Sequence, residues 1–261
     1  MKFLEGLSPT LHISHRGGAK LSPENTLHAF RRAVSEFRTD MLELDVHASS
    51  DGELVVAHDP TVDRCTNGTG AIASLSLRQL EELDAGYRFS PDGRSFPFRG
   101  KGVRIPRFVD VLREFPTLRM NVELKPTAAG MEQRLAKLLR DEGAVDRVCI
   151  GSESDDVAAK LFEALPEACH FFPREALTAF VMSAKMGQEL VDDERYTVLD
   201  MPAYLDDVPL IDRAFVELVR SRSKWVNVWT IDDEAQMRAL IADGVGGIMT
   251  DRPDLLRAAL G

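Results

Sequence analysis

Five short segments of this chain carry residues that can do acid–base or metal chemistry together. They are His15-Arg16-Gly17, Pro23-Glu24-Asn25-Thr26, Glu43-Leu44-Asp45-Val46, His58-Asp59 and, after a long gap, Glu123-Leu124-Lys125. Between them they offer hard carboxylate oxygens for a divalent cation, two imidazoles that titrate near neutrality, and cations for an anionic substrate. Such a set suits metal-assisted cleavage of a phosphate ester.

Spacing tells which side chains work together. Glu43 and Asp45 are two apart, so on a strand they share one face while Leu44 and Val46 share the other. Two carboxylates pointing into a barrel repel each other unless a cation joins them. The plainer alternative, rim carboxylates bridged to Arg or Lys, fits the neighbours less well. Glu123 and Lys125 repeat the spacing on the next parallel strand, and Glu123 would complete a three-carboxylate site. Oxygen-only ligands suit one divalent cation, Mg2+ or Ca2+, and no thiolate lies nearby in sequence to favour zinc.

A lone histidine is more often structural than catalytic. His15 and His58, beside three carboxylates and a cation, reverse that expectation. One imidazole can take a proton from the nucleophile while the other gives one to the leaving alkoxide. Glu24 and Asn25 stand at a helix start, where capping and an active-site role are equally good readings. His47 is in phase with Glu43 and Asp45 and is expected to support the pocket through its neighbours. His12, His28 and His170 read as structural or surface residues.

These side chains need a scaffold. Short apolar segments at 11–15, 41–47, 54–57, 119–124, 147–151, 168–172, 197–201, 225–229 and 247–250 read as strands. Helical patterns cover 24–37, 108–115, 131–142, 155–165, 175–186, 211–221, 233–242 and 253–260. Repeated βα alternation at this length argues for an α/β fold, a closed (β/α)8 TIM barrel. Nine strands are one too many. No helix fits between Met41 and His58, and Ser50-Asp51-Gly52-Glu53 is a two-residue hairpin signal. Residues 54–57 are therefore expected to fold back antiparallel on the second barrel strand. With Ser50 opposite Glu53, Asp45 would face His58. Residues 60–105 read as a small insertion after that strand, with a short amphipathic helix from Leu75, Leu77, Leu80 and Leu83. The whole chain, 1–261, reads as one barrel domain in which 47–105 is a hairpin plus insertion at the C-terminal rim, covering the mouth of the site.

Composition sets bounds. The 261 residues are 44% hydrophobic and 28% charged, ordinary for a globular protein. Thirty-two basic against 42 acidic residues give a net charge of −10. An acidic chain is a poor partner for nucleic acid or an anionic membrane, so a small-molecule substrate is expected. Its phosphate would need local positive charge, which draws attention to Arg16 and Lys125. Cys65, Cys149 and Cys169 form no CxxC and read as incidental reduced thiols. No leader-like segment opens the chain and no run of roughly 18 apolar residues occurs, so a cytoplasmic protein without stable membrane insertion is expected.

The run HRG, PENT, ELDV, DG, HD, NVELK, VWTI and MTDRP, from Ile13 to Pro253, resembles the glycerophosphodiester phosphodiesterase family. Each tripeptide alone is a weak signal, whereas their order and spacing are specific. The resemblance implies hydrolysis of glycerophosphodiesters to glycerol 3-phosphate and an alcohol. By it, Glu43, Asp45 and Glu123 match metal ligands and His15 and His58 an acid/base pair. Arg16 and Lys125 match phosphate-binding cations, and Trp229, ending the seventh barrel strand, a wall for the glycerol part. Departures are few: Gly246 where Asp is usual, Asp232 where Asn is common, Glu153 where an aromatic is frequent, and Arg107-Phe108 in place of Thr-Leu. Two other readings stand beside this one. One is a lysophospholipase D-like enzyme with an apolar mouth built from Tyr87, Phe89, Phe96, Phe98 and Phe108. The other is a catalytically silent barrel that binds phosphodiesters. Direct attack by water and prior attack by the glycerol hydroxyl, through a cyclic phosphate, are both open at this point.

Overall fold

Strand and helix alternate along the chain in a computed structural model that describes residues 2–125 and 129–261. In chain order the strands are β1 (Leu11–Ser14), β2 (Met41–Ala48), β3 (Leu54–Val56), β4 (Arg119–Leu124), β5 (Val148–Gly151), β6 (Cys169–His170), β7 (Val198–Pro202), β8 (Tyr204–Leu205), β9 (Val208–Pro209), β10 (Trp225–Trp229) and β11 (Gly247–Thr250). The α-helices are α1 (Leu27–Ser35), α2 (Leu77–Glu81), α3 (Phe108–Glu114), α4 (Met131–Asp141), α5 (Asp155–Ala164), α6 (Arg174–Lys185), α7 (Arg213–Ser221), α8 (Glu234–Asp243) and α9 (Pro253–Leu260). The parallel strands run in the order β6-β5-β4-β2-β1-β11-β10-β7, and a parallel bridge between Phe171 and Val198 links the two ends. Eight parallel strands thus make a nearly closed barrel, the expected (β/α)8 fold.

Outward-facing Leu42, Leu44, Val46, Val122 and Leu124 pack against the helices in one fully buried cluster. Inward-facing Ile13, Met41, Cys149, Cys169, Val198 and Met249 fill the barrel itself with an apolar plug. This division follows from the period of two along each strand. Cys149 and Cys169 lie in that plug as free thiols, and Cys65 is free and half-buried. Among the described residues no helix is long and apolar enough to cross a membrane.

Helix starts are set by side-chain caps. The Thr26 hydroxyl accepts the Ala29 amide, so α1 begins at Leu27 and not at Glu24. Asp212 and Asp233 cap α7 and α8 in the same way, and Pro253 opens α9 at a position that has no amide to lose.

β3 is antiparallel to β2, as expected, but the register is one residue off the expected pairing. Val46 faces Val56, His47 faces Val55 and Ala48 faces Leu54. The loop holds three residues, Ser50 to Gly52, because Ser49 takes the pairing position opposite Glu53. Its Oγ accepts the Glu53 amide at 3.0 Å and donates to Asp51 at 2.6 Å. Gly52 ends the loop at φ +85°, the left-handed residue of a three-residue hairpin. Asp45 therefore lies opposite Ala57, whose amide donates to its carbonyl. His58 reaches the pocket because regular pairing stops at Val56.

Residues between β3 and α3 gather their own apolar cluster, Val62, Ile72, Leu80, Val103 and Ile105, around Val55 of the hairpin. α2 within it carries a Ser76–Gln79 capping box. The β8–β9 hairpin after β7 has no counterpart in the expected elements. Its strands are two residues each, too short for any periodicity to show.

Candidate functional site

At the C-terminal ends of the barrel strands lies a cavity of about 570 Å3. His15, Arg16, Glu43, Asp45, His58, Glu123, Lys125 and Trp229 all line it. The topology brings them together: β4 lies beside β2 with Asp45 opposite Glu123 and Glu43 opposite Asn121. The expected common face is therefore real, and His15 follows directly from the end of β1.

Each imidazole is held by a carboxylate at Nδ1. His15 Nδ1 lies 2.7 Å from Asp251 Oδ1, and His58 Nδ1 lies 2.8 Å from Asp59 Oδ1. Fixing that nitrogen selects the tautomer and frees Nε2 for proton exchange. His15 Nε2 is 3.8 Å from Glu43 Oε2. Burial disfavours the charged ring of His15, but Glu43 and the Asp251 hydrogen bond outweigh it, and its pKa is raised. His47 does not reach the cavity. Its Nε2 donates to the His58 carbonyl at 3.0 Å, bracing the backbone of that histidine.

Arg16 sits at φ +51° in a turn completed by two glycines. Its backbone amide donates to Glu43 Oε2 at 3.0 Å and its Nη1 to Glu24 Oε1 at 3.1 Å. Gly17 has no room for a side chain, since a Cβ there would stand 2.8 Å from the Ala29 Cβ. Glu24 also takes both Nη groups of Arg64. Asn25 Nδ2 donates to Asp45 Oδ2 at 2.9 Å. Glu24 and Asn25 therefore belong to the site, and Thr26 does the capping. Asn25 Oδ1 is buried with no hydrogen-bond partner.

Lys125 Nζ lies 3.0 Å from Asp45 Oδ1 and 2.7 Å from Glu123 Oε2. Burial opposes the ammonium, yet the two carboxylates raise its pKa. For Asp45, burial is outweighed by Lys125 and Arg16, and its pKa is lowered. Glu43 has less compensation: burial and the Asp45 charge push it up to about 7. Glu123 is raised by burial against the pull of Lys125.

As the side chains stand, no three His, Cys, Asp or Glu groups among the described residues converge as metal ligands. Lys125 fills the space between two of the carboxylates. The donor chemistry nonetheless fits a hard divalent cation: Glu43, Asp45 and Glu123 offer carboxylate oxygens around one cavity, and Glu43 is buried beside Asp45 with less compensating charge than its neighbour.

Several site residues were not singled out from sequence. Asp251 is one, and its position just past β11 at a barrel-strand end was the available signal. Asp232, noted above only as a departure from the family pattern, accepts the Thr250 hydroxyl and the Asp251 amide, fixing the segment that holds His15. Asp200 lines the cavity and takes amide hydrogens from Asn121 at 2.7 Å and Asn227 at 2.8 Å. Burial pushes it up to about 6 despite those bonds. A single Asp between apolar neighbours, with partners far along the chain, gives no local signal.

Among the departures from the family pattern, Gly246 has a physical reason. A Cβ there would stand 2.3 Å from the Trp225 indole nitrogen. Glu153 lines the cavity and pairs with Arg174. No residue of 60–105 lines the cavity. The insertion instead bounds a second cavity of about 600 Å3 behind Glu24, with Arg64, Cys65, Arg88 and Phe89 on its wall. Of the expected aromatic mouth, Phe108 is buried in the main core and Phe98 packs on Phe89 and His28.

Residues 15–255 match the model of the glycerophosphoryl diester phosphodiesterase family. A glycerophosphodiester phosphodiesterase of Caldanaerobacter subterraneus subsp. tengcongensis is 33% identical over 259 residues, covering 95% of this chain and 96% of that protein. Another from Bacillus subtilis is 29% identical over 264 residues, 95% of this chain and 86% of that protein. The crystal structure of a glycerophosphodiester phosphodiesterase from Agrobacterium tumefaciens superposes with a TM-score of 0.77 at 28% identity, covering 95% of this chain and 99% of that one.

Proposed function

The chain belongs to the glycerophosphoryl diester phosphodiesterase family, and from that premise we propose that it hydrolyses glycerophosphodiesters to glycerol 3-phosphate and an alcohol with the aid of one divalent cation. The observation that carries the proposal is the pair of imidazoles, each held at Nδ1 by its own carboxylate, facing one cavity with Arg16 and Lys125.

Arg16 and Lys125 bind the phosphate oxygens and hold positive charge where the transition state gathers negative charge. Glu24 and Arg64 set the angle of the Arg16 guanidinium. His15 and His58 move the protons at Nε2, one accepting from the nucleophile and the other donating to the leaving oxygen. Asp251 and Asp59 keep both rings in the tautomer that allows it. Glu43, Asp45 and Glu123 would hold Mg2+ or Ca2+, which when bound supplies Lewis-acid polarisation of the phosphoryl oxygens. Trp229, 37% exposed at the strand end, walls the glycerol part.

The test is release of glycerol 3-phosphate from a panel of glycerophosphodiesters with different head groups, with and without chelator. The expected result is turnover that disappears with chelation and returns with Mg2+ or Ca2+. Full turnover in excess chelator, with no metal retained by the protein, removes the cation from the mechanism. No turnover of any panel member with cation present removes the activity.

A further inference from the structure

A chain of alternating charge separates the two cavities. Arg16 Nη1 donates to Glu24 at 3.1 Å, and Arg64 donates to Glu24 through Nη1 and Nη2, each at 2.7 Å. The same guanidinium donates to Asp59 through Nε at 2.6 Å, and Asp59 holds His58 Nδ1 at 2.8 Å. Both ends of this chain, Arg16 and His58, line the cavity at the strand ends. Arg64, in its middle, lines the second cavity instead.

That second cavity, about 600 Å3, gathers positive charge in a chain whose net charge is −10. Lys20, Arg64, Arg88 and Arg252 line it against a single carboxylate, Glu24. Lys20 is paired with Asp232 at 2.9 Å and Arg252 with Asp254 at 2.7 Å. Arg88 has no carboxylate partner among the described residues, and its Nε donates to the Thr66 carbonyl at 3.3 Å. Cations converging on one cavity repel each other unless an anion joins them. Guanidinium groups present paired N–H donors that fit phosphate oxygens. Leu21, Phe89 and Pro91 give the cavity an apolar side, and its volume suits a small organic molecule.

We propose that the second cavity is a regulatory site for a small phosphate-bearing anion, and that its occupant slows the reaction through Arg64. An anion bound between Arg88 and Arg64 competes with Glu24 and Asp59 for the Arg64 guanidinium. Glu24 then holds Arg16 less firmly, and Asp59 holds His58 less firmly. A ligand shifts a site only if it binds two arrangements unequally. Here the two arrangements differ in whether Arg64 serves the carboxylates or the anion. The phosphate group is the recognised part, so the source is either the free ion or a phosphomonoester. The effect on rate rests on the hydrolytic reading above, whereas the binding does not.

The test reads binding and rate separately. Equilibrium dialysis of radiolabelled inorganic phosphate compares the wild type with Arg88→Gln. One phosphate per chain should bind on the order of tenfold more weakly in the variant, for loss of a charge-assisted contact. Identical binding curves would overturn the site whether or not the enzyme hydrolyses anything. Rate is read as choline release from glycerophosphocholine by the Mg2+-loaded enzyme. Phosphate competing at Arg16 and Lys125 raises KM alone, so a fall in kcat of about twofold or more reports the second cavity. Arg88→Gln should keep the wild-type kcat and KM without phosphate and lose most of that fall at the same phosphate concentration. Purely competitive inhibition of the wild type, or an equal fall in kcat in both proteins, would overturn the regulation and leave the hydrolytic reading standing. Binding that depends on Arg88, with no turnover at all, would uphold the site and defeat the hydrolytic reading. Glycerol 3-phosphate in place of inorganic phosphate separates an ester from the free ion, by which gives the larger Arg88-dependent fall in kcat. Thermal unfolding checks that the variant folds. Ser90→Phe, which crowds the same cavity and removes no charge, gives both readings a second time and should weaken the same phosphate.

Discussion

Residue type and spacing made seven cavity-lining side chains legible, because metal, proton and phosphate chemistry require rare combinations, whereas Trp229 was legible only through its strand-end place and the family resemblance. Two imidazoles and three carboxylates at strand ends have few other uses. Their supports were harder to see. Asp251 holds His15 from the far end of the chain, and a contact spanning 236 positions leaves no local pattern. The roles are testable one residue at a time. His15→Ala and His58→Ala should each reduce turnover on the order of 10²–10⁴-fold while unfolding at wild-type temperature. A rate within about threefold of wild type would remove that histidine from proton transfer. Glu43→Gln should weaken divalent cation binding by calorimetry, since a carboxamide brings no charge to the cation. Unchanged affinity would take Glu43 out of the ligand set. Asp251→Asn acts through His15 and is a positioning change. The Asp251 hydrogen bond helps raise the His15 pKa against burial. Its loss should move the His15 limb of the pH–rate profile to lower pH, with a fall in kcat. A profile that only drops in height, without shifting, would reduce Asp251 to a structural brace.

At the scale of elements, all eight barrel strands were visible as apolar runs, since parallel strands buried on both faces leave a continuous signal. Hairpin detail was not. Asp51-Gly52 suggested a two-residue turn, but the Ser49 hydroxyl competes for the Glu53 amide and lengthens the loop by one. A one-residue register change turns side chains to the opposite face, and only the end of pairing at Val56 lets His58 return to Asp45. Gly52 pins this arrangement. It sits at φ +85°, its carbonyl accepts Arg134 Nη1 at 2.9 Å, and a Cβ would land 1.8 Å from that nitrogen. Gly52→Val should therefore cost about 1–2 kcal/mol of stability from the left-handed backbone. Its effect on turnover should be larger, more than about tenfold, because the return path of His58 is disturbed. Urea titration beside a glycerol 3-phosphate release assay separates the two. A stability loss with unchanged turnover would show that the hairpin does not set the position of His58.

The whole molecule stacks an apolar plug, a polar layer and a charged rim inside one barrel, and the middle layer couples the fold to pH. Asn121 on β4 and Asn227 on β10 both donate to Asp200 on β7, tying opposite sides of the barrel together. No cation faces that carboxyl closely enough to be paired with it among the described residues. Burial is the largest influence, and the group titrates at about 6 in the fold against 3.8 when free. A carboxyl with a raised folded pKa binds its proton more tightly in the native state. Its contribution is most favourable below the unfolded value. As pH rises from 3.8 through about 6 the native state must ionise a buried group, and stability falls across that window and then levels off. Glu43 contributes a decline of the same sign up to about 7, so the wild-type curve alone cannot assign the effect to Asp200. Asp200→Asn can. The amide has no proton to lose, so the difference in urea midpoint between wild type and variant should change steadily between pH 3.8 and about 6, to the disadvantage of the wild type, and be constant at higher pH. The variant itself should start lower at acid pH, since one of the two asparagine amides then faces another amide donor and loses its acceptor. Parallel midpoint curves across the window would mean that Asp200 ionises as easily inside the barrel as in the unfolded chain, and that the polar layer is solvated from the cavity.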